Sequence, residues 1–342
     1  MSAVFGSYTF RVIMQGLLTI WAVVTFTFFL IRLLPGNPID IKIDQLMQQR
    51  NITYEEALSQ AAALYHFDAN APLFQQYLTY LGQLVQGDLG ESITSAGTQV
   101  SAQILRYLPW TLFSLGLALL ISFTVGVLIG LAMAYWRGGI LDNVMTVLAS
   151  ILYGIPDYVI ALFLIIVVGI QWGWFSPGQM RGGVDPSIQP GLTLEYIGSV
   201  LYYAILPVTT YVLGSIGGWM LTMKSSTIAT LGEDYITVAK ARGLPERRVL
   251  TAYVGRNAML PLVTRLAISI GFIVSGSVIV EELFQYPGLG RNLLRVINGR
   301  DYTTMQGIFL VITISVVFAN VASDLMFGLL DPRVRVGKGK DV

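Results

Sequence analysis

Six apolar stretches decide what this chain can fold into. They run roughly Val12–Leu34, Trp110–Trp136, Leu141–Ile170, Val200–Met223, Leu262–Val280 and Met305–Leu330, and the third has Pro156 inside it. A helix needs about 20 apolar residues to cross the hydrocarbon core of a bilayer. Inside hydrocarbon every backbone N–H and C=O must be satisfied by the segment or its neighbours, which leaves only helices and closed barrels. Barrel strands are about 10 residues long and alternate apolar with polar. These runs are longer and unbroken, so the chain reads as an all-α polytopic membrane protein with six transmembrane helices. Composition agrees. The chain is 54% hydrophobic and 12% charged, against about a quarter charged in a soluble domain, and its mean hydropathy is +0.65.

The distribution of cations sets the expected orientation. The 224–261 loop holds Lys224, Lys240, Arg242, Arg247, Arg248 and Arg256, and the C-terminal segment holds Arg333, Arg335, Lys338 and Lys340. Arg11 and Arg137 fall on the same side if the spans alternate. The opposite loops carry Arg181, Arg291, Arg295 and Arg300, so the count is twelve against four. Both termini are therefore expected in the cytoplasm. The first run is too long for a signal-peptide core and has no small-residue cleavage site close behind it, so it is expected to stay as the first span. Net charge is +1, which gives no field for nucleic acid. With no cysteine and His66 as the one histidine, disulfides, iron–sulfur clusters and His/Cys metal sites are excluded.

Three regions follow: residues 1–34 with the first span, an extracytoplasmic loop over 35–107, and a membrane core over 108–342. In the loop, Thr53-Tyr54-Glu55-Glu56 predicts a capping box opening a helix. A second helix is expected where Phe74, Tyr77, Leu78, Leu81 and Leu84 recur at helical spacing, ended by Gly87-Asp88-Leu89-Gly90. Residues 171–198, rich in Gly and Pro, predict an irregular loop with Trp172 and Trp174 at the membrane interface.

Nothing in the chain reads as catalytic. It lacks a phosphate-binding GxxxxGK[ST] loop, HExxH and GxSxG. It is read as a non-enzyme that needs no cofactor or metal. Polar groups inside spans are costly and so face the bundle interior or a path. Asp157 has two readings: a residue lining a substrate path, or a cap on backbone freed at Pro156. Glu281 and Glu282 close the fifth span and are path candidates, or a solvated rim. Asn320 and Asp324, one turn apart, predict an interhelical bond. Gly126 and Gly130, and Gly214, Gly217 and Gly218, predict close helix packing.

The block Gly232–Pro261 is the most polar of the membrane core. Glu233 and Asp234 suit the positive end of a helix. Tyr235, Val238, Ala239 and Arg242 recur on one face. Ala239 and Ala241 are small enough to let a partner approach closely. Gly243-Leu244-Pro245 ends the helix, and Glu246–Ala258 predicts a second, basic one. Such a helix pair suits a lever worked by a docked partner, or a plain positive-inside loop.

EDYITVAKARGLPERRVL followed by RNAMLP resembles the cytoplasmic loop of ABC transporter permeases that work with a binding protein. Ala239, Gly243 and Leu260-Pro261 match the short family pattern, while Thr237 and Val238 replace its Glu and first Ala. The longer spacing, Asp234-Tyr235 and Ala241-Arg242-Gly243-Leu244 are similar to the dipeptide/oligopeptide branch. LPGNP (Leu34–Pro38), GDLGES (Gly87–Ser92), LPWTL (Leu108–Leu112), EELFQYPGLGRNL (Glu281–Leu293), Asp301-Tyr302 and the ending Asn320–Arg335 resemble the same branch in the same order, in its B-type subunit. The resemblance implies a permease of the bacterial inner membrane, one half of a path shared with a second permease. Two ABC ATPases dock on Glu233, Asp234, Tyr235, Ala239, Ala241, Arg242, Gly243 and Leu244, and an extracytoplasmic binding protein delivers cargo. Peptides are the default cargo; nickel complexes, glutathione and oligosaccharides are carried by relatives. A stand-alone secondary transporter would favour paired intramembrane charges and internal repeats, and neither is evident. A signalling scaffold that recruits a partner without transport is the remaining alternative.

Overall fold

The structure is a computed structural model that describes residues 8–33, 43–44, 47–48, 51–65, 72–95 and 97–330. The 34–38 motif, His66 and the closing segment from Asp331, with Arg333, Arg335, Lys338 and Lys340, lie outside the described residues, as does the side chain of Asp324. Helices dominate what remains, with one isolated antiparallel bridge between Glu91 and Gln99.

Helix α1 (Tyr8–Leu33) holds the first apolar run. The next loop carries α2 (Tyr54–Tyr65) and α3 (Leu73–Val85). The capping box ahead of α2 forms: the Thr53 amide donates to Glu56 Oε2 at 3.1 Å, and the Glu56 amide to Thr53 Oγ1 at 3.4 Å. On α3 only Tyr77 is buried. Its hydroxyl lies 2.7 Å from Thr25 Oγ1, and its ring meets Phe28 edge-on. Phe74 and Leu78, expected on the same face, are exposed.

Helix α4 (Val100–Tyr135) is followed by α5 (Ile140–Gly154) and α6 (Asp157–Phe163), which runs on as a π-helix over Leu164–Gln171. The third apolar run is therefore no straight span: its two helices meet at 102°. Pro156 has no N–H to continue α5, and it holds Ile155 in extended backbone at φ −90°, ψ 127°. The Pro156 carbonyl then accepts from Val159 and Ile160 to start α6.

Helix α7 (Leu194–Leu231) leads to α8 (Asp234–Ala241) and a helical segment made of α9 (Glu246–Arg248), a π-turn (Val249–Gly255) and α10 (Arg256–Ala258). The fifth run forms α11 (Leu260–Ile273). It has 14 residues, about 21 Å of helix against about 30 Å of hydrocarbon. Gly276, at φ 67°, breaks the chain before α12 (Val278–Leu283) and α13 (Leu289–Asn298). Helix α14 (Tyr302–Leu330) is last. Four helices, α1, α4, α7 and α14, are long and apolar enough to cross a membrane alone, and the bent pair makes five.

Helix α7 is the axis of the bundle. Of its apolar window 44% is buried, against 22–28% for the other three. It packs on α4, α5, α6 and α11. Small residues permit this. A Cβ on Gly126 would lie 2.7 Å from Trp219 Cβ, and one on Gly130 would lie 2.5 Å from the Met220 carbonyl. Gly217 leaves room for the Ala149 carbonyl of α5. Between like apolar surfaces in lipid, such close contact is what holds helices together.

Candidate functional site

The 232–258 loop is built from its two stop signals. Helix α8 ends in a Schellman motif: the Gly243 amide donates to the Lys240 carbonyl at 2.9 Å and the Leu244 amide to Ala239 at 3.3 Å. Gly243 sits at φ 73°, where a side chain is strained. The Pro245 carbonyl accepts from Arg248 at 2.8 Å and opens the next segment. Ile236 and Ala239 are buried against Val249 and Val254, with Leu231, Leu244 and Tyr253 around them. This corrects the single face read from the sequence. Tyr235 (40% exposed), Val238 (56%) and Arg242 do share the open face, but Ala239 points into the chain's own core. Its small size lets the second segment, not a partner, come close. Glu233, Asp234, Ala241 and Gly243 are also exposed, and Leu244 is half-buried.

The loop is tied to the bundle. Ser226 of α7 donates to the Ala258 carbonyl at 2.8 Å. Two residues back, Lys224 pairs with Asp142 of α5 at 2.5 Å and donates to Thr146 at 2.8 Å. Asp142 also accepts from the Gly138 amide at 2.9 Å. So α5 and α7 are joined about two turns before α7 enters the loop.

In the other half of α7, where Val280 and Phe284 cluster with Ala204, Leu206 and Tyr211, Glu281 and Glu282 part company. Glu281 is wholly buried. Its carboxylate accepts from Thr111 Oγ1 and the Arg291 amide, both at 2.9 Å, and fills the space left by Gly288 and Gly290. Thr111 in turn accepts from the Leu289 amide at 2.7 Å. A buried carboxylate is tolerated only when its oxygens are satisfied in this way. Glu281 therefore knots α4, α12 and α13 together and is closed off from any path. Glu282 is on the surface, 3.2 Å from Arg291 Nε. A second knot went unread in the sequence. Buried Asp301, ahead of α14, accepts from the Ser92 hydroxyl, the Ile93 amide (3.1 Å), the Thr94 hydroxyl (2.9 Å) and the Thr304 amide (3.1 Å).

Within the membrane part, Asp157 is exposed and lies against Gly214 of α7. Its side chain makes no cap on α6. Asn320 is exposed. The sequence reading passed over Arg265, a cation in the second turn of α11. Its Nη1 lies 3.0 Å from Thr222 Oγ1, and its guanidinium stacks 4.8 Å from the Trp219 ring. The signal was there, one arginine in a 14-residue apolar helix, but averaging hydropathy over the run hides it. Among the described residues no group of three or more His, Asp or Glu side chains could hold a metal.

A helical bundle whose apolar helices cross a bilayer, with an ordered polar helix pair at one end and buried carboxylate knots at the other, has the build of a membrane permease. Residues 126–336 match the family described as the binding-protein-dependent transport system inner membrane component, and the chain belongs to that family. It is a multi-pass protein of the bacterial inner membrane. It is 32% identical over 330 residues to the di/tripeptide transport system permease protein DppB of Pseudomonas aeruginosa (strain UCBPP-PA14), covering 93% of this chain and 95% of that one. It is 29% identical to the oligopeptide transport system permease protein AppB of Bacillus subtilis (strain 168), covering 96% and 99%. The dipeptide transport system permease protein DppB of Escherichia coli (strain K12) is 32% identical, covering 90% and 93%.

Proposed function

We propose that this chain is one of two membrane subunits of an ATP-driven importer of short peptides. It forms half of the path together with a homologous permease. Two ATPase subunits dock on the 232–258 loop from the cytoplasm, and an extracytoplasmic binding protein delivers the peptide at the end that carries Glu281 and Asp301. Six spans place both termini in the cytoplasm in this reading, with α11 and the bent pair each crossing once. The chain itself does no chemistry; its part is to change shape when the ATPases close.

The observation that carries the reading is the open face of α8. Tyr235, Val238 and Arg242 stand free of the chain, while Ile236 and Ala239 fasten the same helix to the loop beneath. A helix that is rigid below and apolar with one charge above can be pushed without coming loose. The tie from Lys224 to Asp142 would pass that push to α5 and its bend. Relatives named for di/tripeptides and oligopeptides support the cargo.

The test is purification of the assembled complex. Gly243→Pro forces φ from 73° to about −65° and removes an amide that caps α8. The variant is expected to fold and reach the membrane but to lose its ATPase subunits. Retention of the ATPases by a folded Gly243→Pro complex would contradict the docking role.

A further inference from the structure

An acid and a cation, Asp157 and Arg265, face α7 from two different helices. Asp157 and Arg265 are in neither ion pair found among the described residues, which are Lys224–Asp142 and Arg291–Glu282. Arg265 offers five N–H donors. Those used are Nη1 to Thr222 at 3.0 Å and, at 3.5 Å, to the Gly218 carbonyl. Nη2 instead stands 3.0 Å from where a Cβ on Gly218 would be. Asp157 Oδ1 lies against Gly214. Gly214 and Gly218 are successive turns of one face of α7, about 6 Å apart along its axis. Tyr153, 60% exposed, has its ring 3.1 Å from where a Cβ on Gly218 would be, next to the break that turns α6 away. The result is an acid and a base along a side-chain-free strip of helix, with an open aromatic ring beside it.

Unpaired ions in lipid cost at least about 2.5–3.5 kcal/mol each. A pair kept apart at that cost suits a ligand that brings both opposite charges. An extended chain advances about 3.3–3.6 Å per residue, so the ends of a di- or tripeptide lie roughly 7–11 Å apart. Asp157 Oδ1 beside Gly214 and Arg265 Nη2 beside Gly218 stand about one helical turn apart along α7, close to the shorter of these lengths.

We propose that Asp157 and Arg265 are the two poles of a peptide subsite in the path. Arg265 takes the C-terminal carboxylate, Asp157 takes the N-terminal ammonium, and the glycine strip of α7 with Tyr153 holds the backbone between them. This rests on the peptide reading above. It makes the termini, not the side chains, what the path recognises, and so fits varied sequences of short length.

The experiment uses the complete complex in proteoliposomes with its binding protein and ATP, and three labelled cargos: a free tripeptide, its C-terminal amide and its N-acetyl form. Arg265→Gln should lower uptake of the free tripeptide about tenfold or more, the effect of one charge-assisted hydrogen bond, while changing uptake of the amide little. Asp157→Asn should do the same to the free tripeptide and spare the N-acetyl form. Equal loss on all three cargos would mean a structural role and would overturn the subsite, as would no loss at all. Because the chain has no cysteine, Gly154→Cys, exposed beside Tyr153 and with nothing within 4 Å of its Cβ, adds a readout that needs no transport. Its maleimide labelling should be slowed by saturating tripeptide, and Arg265→Gln should abolish that protection. Labelling indifferent to peptide in both backgrounds would also overturn it. Wild-type complex that takes up no peptide would instead strike the cargo reading and the subsite together.

Discussion

At the scale of single residues, identity foretold chemistry but not direction. Glu281 and Glu282 are neighbours on one short helix, so one points in and the other out. Which one turns inward depends on the space that Gly288 and Gly290 leave, and that is set by the loop after them. Asp301 is the sharper case. Its carboxylate gathers four donors from residues 92–94 and Thr304, two hundred positions apart in sequence. Asp301→Ala takes the acceptor away from the buried Ser92 hydroxyl and the buried Thr304 amide, at about 1–3 kcal/mol each. The variant is expected to unfold more than about 5 °C below wild type in detergent and to become sensitive to protease around residues 87–99. Glu282→Gln removes only a surface pair, worth about 0–1 kcal/mol, and should shift the midpoint little. Equal shifts for the two would contradict the knot. Arg265 shows the opposite limit. An isolated cation was plain in the sequence, but its meaning came only with Trp219, Thr222 and Gly218 around it.

At the scale of elements, the apolar runs were legible because the thickness of hydrocarbon fixes their length. Their shapes were less so. Pro156 marked a disturbance, but the 102° bend follows from what α6 packs against after the break. The shortness of α11 and the π-turns on either side of the bundle left no mark in hydropathy. Gly126, Gly130 and Gly217 stand at close helix contacts as expected, whereas Gly214 and Gly218 face the side chains of Asp157, Arg265 and Tyr153. Gly130→Ala would set a Cβ 2.5 Å from the Met220 carbonyl and should sharply cut the yield of folded protein. Gly116→Ala, in the same helix with nothing within 4 Å, should be neutral or slightly stabilising. Size-exclusion profiles of the two purified variants check this. In α8, sequence periodicity put Ala239 with Tyr235 and Val238, because a face wide enough to hold all three spans both surfaces of a half-buried helix. Ala239→Leu should overfill the small core under α8 and cost about 1–3 kcal/mol. Tyr235→Ala, on the open face, should leave stability unchanged while weakening recovery of ATPase subunits in a pull-down. A Tyr235→Ala chain that keeps full ATPase recovery would move the docking contact elsewhere.

At the scale of the whole molecule, the chain is asymmetric from end to end. One end holds buried carboxylates that lock α4, α12, α13 and α14 to the loop before α4. The other holds a loop whose outer face is open and whose attachment runs through Ser226 and Lys224. In the proposed importer, α7 joins a fixed end to the end that the ATPases would move, which is what a path needs if it is to open on alternate sides. The sequence holds no phosphate-binding loop, and in the importer proposed above the energy is supplied by the ATPase subunits. The most direct test is uptake of a labelled tripeptide by the complete complex in proteoliposomes. Uptake should require ATP on the loop side and the binding protein on the other, and it should stop with Gly243→Pro. Tripeptide transport by this chain alone, without ATP or ATPase subunits, would contradict the account.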